Sequence, residues 1–255
     1  MSTRRTVVTG GASGIGAATA RGALAAGHGV AVLDADGDRL AERWRDANDQ
    51  SDQGGRPVTT VACDVTSADD VARAFDAVEA TWGAPADGLV HAAGVYRIAP
   101  ATDLTPDDWR AVLDINVTGS FLVCQEFGRR AIAAGVPGSA VLLSSIAYCR
   151  GDTAEPAAHY SASKGAVVSL ARQLAVEWGK AGIRVNAVAP GVIATPMLRI
   201  SDDPDRLAAY LDSGVPLGRL GSAEEVAAAC LFLLGDDAAY VSGAVLPVDG
   251  GAGAT

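Results

Sequence analysis

The chain predicts an α/β fold: a doubly wound parallel sheet of about seven strands, flanked by helices on both faces, in a single domain over residues 1–255. Three observations predict it. Short apolar, β-rich runs alternate with longer helical patterns from one end to the other, as a parallel sheet covered on both faces requires. A glycine-rich turn follows the first strand pattern and opens the first helix. No repeat, low-complexity tract or Pro/Gly linker divides the 255 residues, a length that can bury a full core.

The first strand is Thr6 to Thr9, closed by Gly10 and Gly11, and a helix follows from Gly14 to Ala26. The apolar run Gly29 to Asp34 is the second strand, and Asp38 to Asn48 the second helix. Val58 to Cys63 is a strand rich in valine and threonine, followed by a helix from Ala68 to Trp82. Gly88 to His91 makes a short strand, and one long helix is expected from Pro106 to Ala134. Ala140 to Ser144 is the next strand. A helix from Ala157 to Lys180 stops at Gly182, a residue suited to a helix end. Arg184 to Ala189 and Ala244 to Val248 are the last strands, separated by a helix from Ala223 to Leu234.

Residues 191–219 break this alternation with Pro196, Pro204 and Pro216. A long excursion after a strand's carboxyl end is where α/β proteins bind ligands, so the segment is read as a substrate lid, with a plain surface excursion as the other reading.

A net charge of −10 argues against a nucleic-acid surface or a basic membrane patch and favours a small-molecule partner. No apolar run has transmembrane length, and the N-terminus runs straight into the first strand without a signal-peptide pattern. Cys63, Cys124, Cys149 and Cys230 are widely spaced, so reduced cytoplasmic thiols are expected and no metal site. Eighteen of the twenty basic residues are arginine; with abundant Ala and Gly this points to a GC-rich bacterial genome.

The turn reads Thr9-Gly10-Gly11-Ala12-Ser13-Gly14-Ile15-Gly16. Gly10 permits a tight turn, and Gly14 and Gly16 let a pyrophosphate approach the backbone where the helix N-terminus supplies donors. Asp34, at the end of the second strand, can accept hydrogen bonds from an adenosine ribose and repel a 2′-phosphate, which favours NAD(H) over its phosphorylated form. A solvated turn residue is the other reading of Asp34.

Tyr160 and Lys164 stand at i and i+4 in a helical stretch, which stacks them on one face. A tyrosine hydroxyl, with an ordinary pKa of about 10, needs a nearby cation to serve as a base near neutrality. Only Lys164 and Lys180 are lysines in a chain that otherwise uses arginine. Asn116, one of three asparagines, sits inside a helical pattern where asparagine is a poor former.

With Gly10, Gly14, Gly16, Asp34, Tyr160 and Lys164 in place, the chain resembles the classical short-chain dehydrogenase/reductase family from end to end, which implies a Rossmann-type fold. The resemblance points to Ser145 in Leu143-Ser144-Ser145, to Asn116 in Asn116-Val117-x-Gly119, and to Pro190-Gly191 followed by Thr195. It implies hydride exchange between a nicotinamide and a secondary alcohol or ketone. Tyr160 would be the acid/base, Lys164 would lower its pKa and hold the nicotinamide ribose, Ser145 would hold the substrate oxygen, and Asn116 would position a water. Ser144 competes with Ser145 for that role. The same resemblance places Ser13 and Ile15 in the phosphate turn, Asp64 and Val65 at the adenine, and Ala92-Ala93-Gly94 along the cofactor. Ile193 and Thr195 would lie at the carboxamide, and a homotetramer is the expected assembly.

His91-Ala92-Ala93-Gly94 departs from the Asn-Asn-Ala-Gly pattern of that family. His91 is either a substrate or proton-relay group or a strand-end histidine satisfied by its neighbours. The expected cleft walls are Val95–Pro100, Ile146–Glu155 and Val192–Leu198. They offer Tyr96, Ile146, Tyr148, Val192 and Met197 to an apolar substrate. Arg97 and Arg150 would bind a substrate carboxylate or phosphate, or else be solvated. Two rival functions remain: an NADPH-dependent ketoreductase, and a non-catalytic dinucleotide-binding sensor or scaffold.

Overall fold

Val7 and Val8 point to opposite faces of one strand, and that alternation organises the molecule. The structure, a computed structural model, describes residues 4–49, 58–153, 155–198 and 203–254. Strand β1 (Arg5–Thr9) sends Val7 into one apolar layer and Val8 into the other. β2 (Gly29–Asp34) divides Ala31 and Leu33 from Val30 and Val32 in the same way. β4 (Gly88–His91) divides Leu89 from Val90, and β5 (Gly138–Leu143) divides Ala140 and Leu142 from Val141 and Leu143. Both faces are covered, so both sets are apolar and the strands read as continuous apolar runs. Each of these valine and leucine side chains, fully buried, contributes about 1.5–3 kcal/mol relative to exposure.

β3 (Val58–Ala62), β6 (Ile183–Pro190) and β7 (Val245–Val248) complete a seven-stranded sheet in the order β3-β2-β1-β4-β5-β6-β7. All pairings are parallel. Helices α3 (Ala68–Trp82), α5 (Gly119–Ala133) and α6 (Ala158–Trp178) cover the Val7 face through Phe75, Phe127 and Trp178. Helices α1 (Gly14–Ala25), α2 (Gly37–Asp49) and α8 (Ala223–Leu234) cover the other through Ala17, Trp44 and Leu233. Strand order reverses between β1 and β4, opening a crevice at their carboxyl ends where ligands of such sheets bind. This is the Rossmann-type architecture expected from the sequence.

Local chemistry fixes the helix starts. The Ser67 hydroxyl accepts from the Asp70 N–H to begin α3, and Ser222 with Glu225 forms a reciprocal box at α8. Thr105 and Asp108 do the same at α4 (Pro106–Leu113).

Two elements differ from expectation. The long helix expected from Pro106 to Ala134 is two helices, α4 and α5, joined by a π turn over Asp114–Thr118. Apolar periodicity runs through both and does not show the wider turn. Residues 191–219 contain a helix, α7 (Pro204–Gly214), whose Leu207, Tyr210 and Leu211 follow helical spacing. Residues 199–202 of that segment lie outside the described ones.

All four cysteines are free thiols, and burial above all pushes Cys63, Cys124 and Cys230 up to about 12. Among the described residues no group of His, Cys, Asp or Glu could hold a metal ion. None of the described helices is long and apolar enough to cross a membrane.

Candidate active site

The glycine-rich turn leaves β1 by turning back against the end of β4. Gly10 has φ +68°, and a Cβ there would stand 2.7 Å from the Ala93 nitrogen. At Gly16, in the first turn of α1, a Cβ would collide with the Gly10 carbonyl, so helix and turn meet backbone to backbone. The Trp44 indole donates to the Gly11 carbonyl at 3.0 Å and fixes the outer side of the turn. Asp34 closes the floor: one carboxylate oxygen accepts from the Ala12 N–H at 2.9 Å, the other from the Asp36 N–H at 3.1 Å.

These groups border a cavity of about 330 Å³. Gly10, Ser13, Gly14, Ile15, Gly16, Asp34, Asp64, Val65, Ala92, Ala93 and Gly94 all line it. It runs into a second cavity of about 430 Å³, since Ile15, Ala92, Gly94, Val95, Thr195 and Met197 line both. Tyr160, Lys164, Ser145, Pro190, Gly191 and Ile193 line the second. A glycine cradle that side chains would fill, a helix N-terminus and a carboxylate at the strand end fit an adenine dinucleotide laid across the switch point.

Tyr160 and Lys164 stand one turn apart at the start of α6. The Lys164 ammonium is buried, donates to the Leu143 carbonyl at 2.9 Å and lies 5.5 Å from the centre of the Tyr160 ring. Burial, with no carboxylate beside it, pulls its pKa down to about 8. The Tyr160 phenol is raised above its ordinary value by burial, and hydrogen bonding with Ser145 pulls in the opposite direction. The ammonium therefore does not dominate the phenol as the spacing alone implies; desolvation does.

Both serines line the larger cavity, and their hydroxyls have different partners. Ser144 is buried and its hydroxyl donates to the Lys164 carbonyl at 2.9 Å, tying β5 to α6. The Ser145 hydroxyl accepts from the Ala147 N–H at 3.2 Å and shares the cleft with the Tyr160 hydroxyl.

Asn116 sits in the π turn and is buried. Its Oδ1 accepts from the Val95 N–H at 2.8 Å, and its Nδ2 donates to the Val95 carbonyl and the Ser163 hydroxyl, each at 3.0 Å. Ser163 in turn donates to the Tyr160 carbonyl at 2.7 Å. Asn116 and Lys164 meet over Gly94, where a Cβ would stand 3.1 Å from Asn116 Oδ1 and 3.5 Å from Lys164 Nζ.

His91 is buried and lines neither cavity. Its Nδ1 lies 2.9 Å from the Thr9 hydroxyl, which also accepts from the Ala93 N–H. Histidine and threonine thus tie the end of β1 to the end of β4. Its Nε2 is buried without a partner, and burial, with Lys164 adding, pushes the ring down to about 3.

Of the substrate residues expected from sequence, Tyr96, Ile146, Arg150, Val192 and Met197 line the larger cavity. Arg97 and Tyr148 do not. Arg97 is exposed, in the field of Asp108 and His159, and the short 3-10 turn over Ile146–Tyr148 buries Ile146 while leaving Tyr148 beside Cys149. Arg150 directs Nη1 to the carbonyls of Ala252 at 2.7 Å and Gly214 at 3.4 Å. Sequence reasoning missed Tyr210, and it included Asp152 and Glu155 in the expected wall Ile146–Glu155 without naming them as substrate residues; all three line the cavity. The helical spacing around Tyr210 was the signal that would have found it.

The chain matches, over residues 10–253, the family model described as Enoyl-(Acyl carrier protein) reductase. It is 39% identical over 248 residues to galactitol 2-dehydrogenase (L-tagatose-forming) of Cereibacter sphaeroides, covering 96% of this chain and 92% of that one. It is 42% identical over 253 residues to cis-4-hydroxycyclohexanecarboxylate dehydrogenase of Sinomonas cyclohexanicum, covering 97% and 96%. The crystal structure of a gluconate 5-dehydrogenase from Burkholderia cenocepacia, in complex with NADP and tartrate, superposes with a TM-score of 0.91 at 33% identity, covering 100% and 97%. The glycine turn, the switch-point crevice and these end-to-end likenesses agree: the chain belongs to the classical short-chain dehydrogenase/reductase family, oxidoreductases that use a nicotinamide dinucleotide.

Proposed function

We propose that the protein is an NAD(H)-dependent alcohol dehydrogenase that interconverts a secondary alcohol and its ketone, with Tyr160 as general acid/base. One observation carries this reading: Ser145, Tyr160 and Lys164 converge in the wall of a cavity continuous with the groove that ends at Asp34. The dinucleotide, when bound, supplies the hydride acceptor or donor and, oxidised, a positive charge in the cleft. Ser145 holds the substrate oxygen, and Tyr160 removes or returns its proton. Lys164 keeps a positive charge within the cleft at neutral pH. Asn116 shapes the Gly94 turn and borders the route from Lys164 toward solvent. Asp34 faces the ribose. Pro190, Gly191, Ile193 and Thr195 hold the carboxamide end.

With the phenol raised and the ammonium at about 8, the chain's own groups are protonated at neutrality. Such a pair is set to donate a proton to a ketone oxygen; alcohol oxidation requires the added charge of an oxidised nicotinamide to draw the phenol down. The segment 191–219 serves as the lid, and a cytoplasmic homotetramer is the proposed working form, checked by light scattering.

NADP in the Burkholderia cenocepacia structure supports a second reading, an NADPH-dependent ketoreductase. Fluorescence titration with NADH and NADPH separates the two, and tighter NADPH binding would overturn the role given to Asp34. A screen of secondary alcohols and ketones, followed at the NADH absorbance band, tests the activity itself. The relatives' names include both a polyol and a carboxylate-bearing ring alcohol, so they do not choose the substrate.

A further inference from the structure

Tyr96 touches Tyr160 edge to face, with ring centres 4.7 Å apart and planes at 71°. Its hydroxyl donates to Glu155 Oε2 at 2.7 Å. The phenol has thereby spent its one proton on the carboxylate, and what it presents to the cleft is lone pairs. Glu155 Oε1 is buried and has no partner. Tyr96 and Glu155 line the cavity that holds Tyr160. Tyr210 lines the same cavity: burial first, then the charge of Asp152, raises its phenol, while Arg150 pulls it down. The remaining lining cation, Arg150, gives Nη1 to two main-chain carbonyls. At the Tyr96–Glu155 end this cavity therefore offers hydrogen-bond acceptors and a carboxylate, while Lys164 and Arg150 are the cations elsewhere in its lining.

We infer that the substrate is a neutral, hydroxyl-rich alcohol, a vicinal diol or polyol, and that Glu155, held by Tyr96, selects it by accepting a hydrogen bond from a hydroxyl near the reacting carbinol. The inference rests on the dehydrogenase reading above and narrows its substrate. A hydroxyl donor satisfies a buried acceptor that otherwise stays unpaired, and a carboxylate in the same place meets like charge. Of the two arginines read from sequence as anion-binding groups, Arg97 lies outside the cavity and Arg150 commits Nη1 to main-chain carbonyls.

The test compares butane-2,3-diol, butan-2-ol and 3-hydroxybutanoate as substrates for the full-length protein, with wild type, Glu155→Leu, Glu155→Gln and Tyr96→Phe. In wild type, kcat/KM for the diol should exceed that for the monohydric alcohol by about 10- to 100-fold, mostly through KM, which is the effect of one hydrogen bond to a charged group. Glu155→Leu should bring that ratio close to one, and Tyr96→Phe should lower it part of the way. Glu155→Gln should raise kcat/KM for 3-hydroxybutanoate by about tenfold, a gain that a purely structural residue would not produce. A wild-type ratio near one, or a wild-type preference for the hydroxy acid, overturns the inference while turnover of butan-2-ol leaves the dehydrogenase reading standing. The wild-type ratio decides even where a variant fails to fold. Absence of dinucleotide-linked turnover on all three removes both readings.

Discussion

Asn116 brackets Val95, accepting from its N–H and donating to its carbonyl. A single side chain thereby takes the place of a β-ladder partner at the point where β4 has ended and the backbone turns into the cleft wall. Replacing it with leucine strands the Val95 N–H and carbonyl and leaves the Ser163 hydroxyl one partner short. At about 1–3 kcal/mol for each of the two stranded groups, Asn116→Leu should cost roughly 2–6 kcal/mol in urea unfolding. Asn116→Asp, which keeps the acceptor for Val95, should cost less.

Tyr160→Phe keeps the ring that packs against Tyr96 and removes only the hydroxyl. Turnover should fall by about three orders of magnitude or more, while NADH affinity by fluorescence stays within about twofold. Unchanged turnover would remove Tyr160 from the chemistry.

Lys164 binds its proton less tightly folded, at about 8, than its ordinary 10.5. The penalty for burying its charge is in force below pH 8 and is relieved as pH rises from 8 toward 10.5, so this group makes stability climb across that window. Unfolding midpoints at pH 8 and 10 should show the climb in wild type and lose it in Lys164→Met. The ammonium is also lost over this range, so kcat/KM for ketone reduction should decline above pH 8.

His91 titrates at about 3 in the fold against an ordinary 6.5. The unfolded chain binds the extra proton between those values, so stability falls as pH drops through 6.5 toward 3. From pH 7 to pH 5 the loss from this ring is about 2 kcal/mol, and His91→Asn should remove it from the urea midpoints. The same ring should give no step in the activity profile between pH 6 and 8.

Asp34 accepts two main-chain N–H groups as well as facing the groove. Asp34→Ala should move relative affinity toward NADPH by about tenfold, by lifting the repulsion of a 2′-phosphate, and lower stability by about 1 kcal/mol through the stranded Ala12 N–H.

The sheet was legible because both faces are covered: Val7, Val8, Leu89 and Val90 are apolar whichever way they point, and such runs announce buried strands. Gly10, Asp34, Tyr160 and Lys164 were legible because each is a residue type its position needs for a chemical reason. Three things were hidden. The π turn keeps apolar spacing on both sides, so periodicity passes over it. The exclusion of Arg97 and Tyr148 depends on which way a side chain leaves the backbone in irregular turns. The Tyr96–Glu155 pair joins residues 59 positions apart, which no local pattern encodes.

The wide turn at Asp114–Thr118 also sets the phase of everything after it. An α-helix advances about 100° per residue, and a π turn takes in one residue more than an α turn. The fifteen residues of α5 are thereby rotated by about that angle from where a regular continuation of α4 would leave them. In this phase Gly119 meets Val65, beside the groove, and Gly128 meets the Trp178 ring, two places where a Cβ would stand under 3 Å from its neighbour. Loss of one residue from the turn would carry both glycines away and swing larger side chains into those gaps. A one-residue deletion there should thus misalign the whole Val7 face, an effect far larger than any substitution at Asn116.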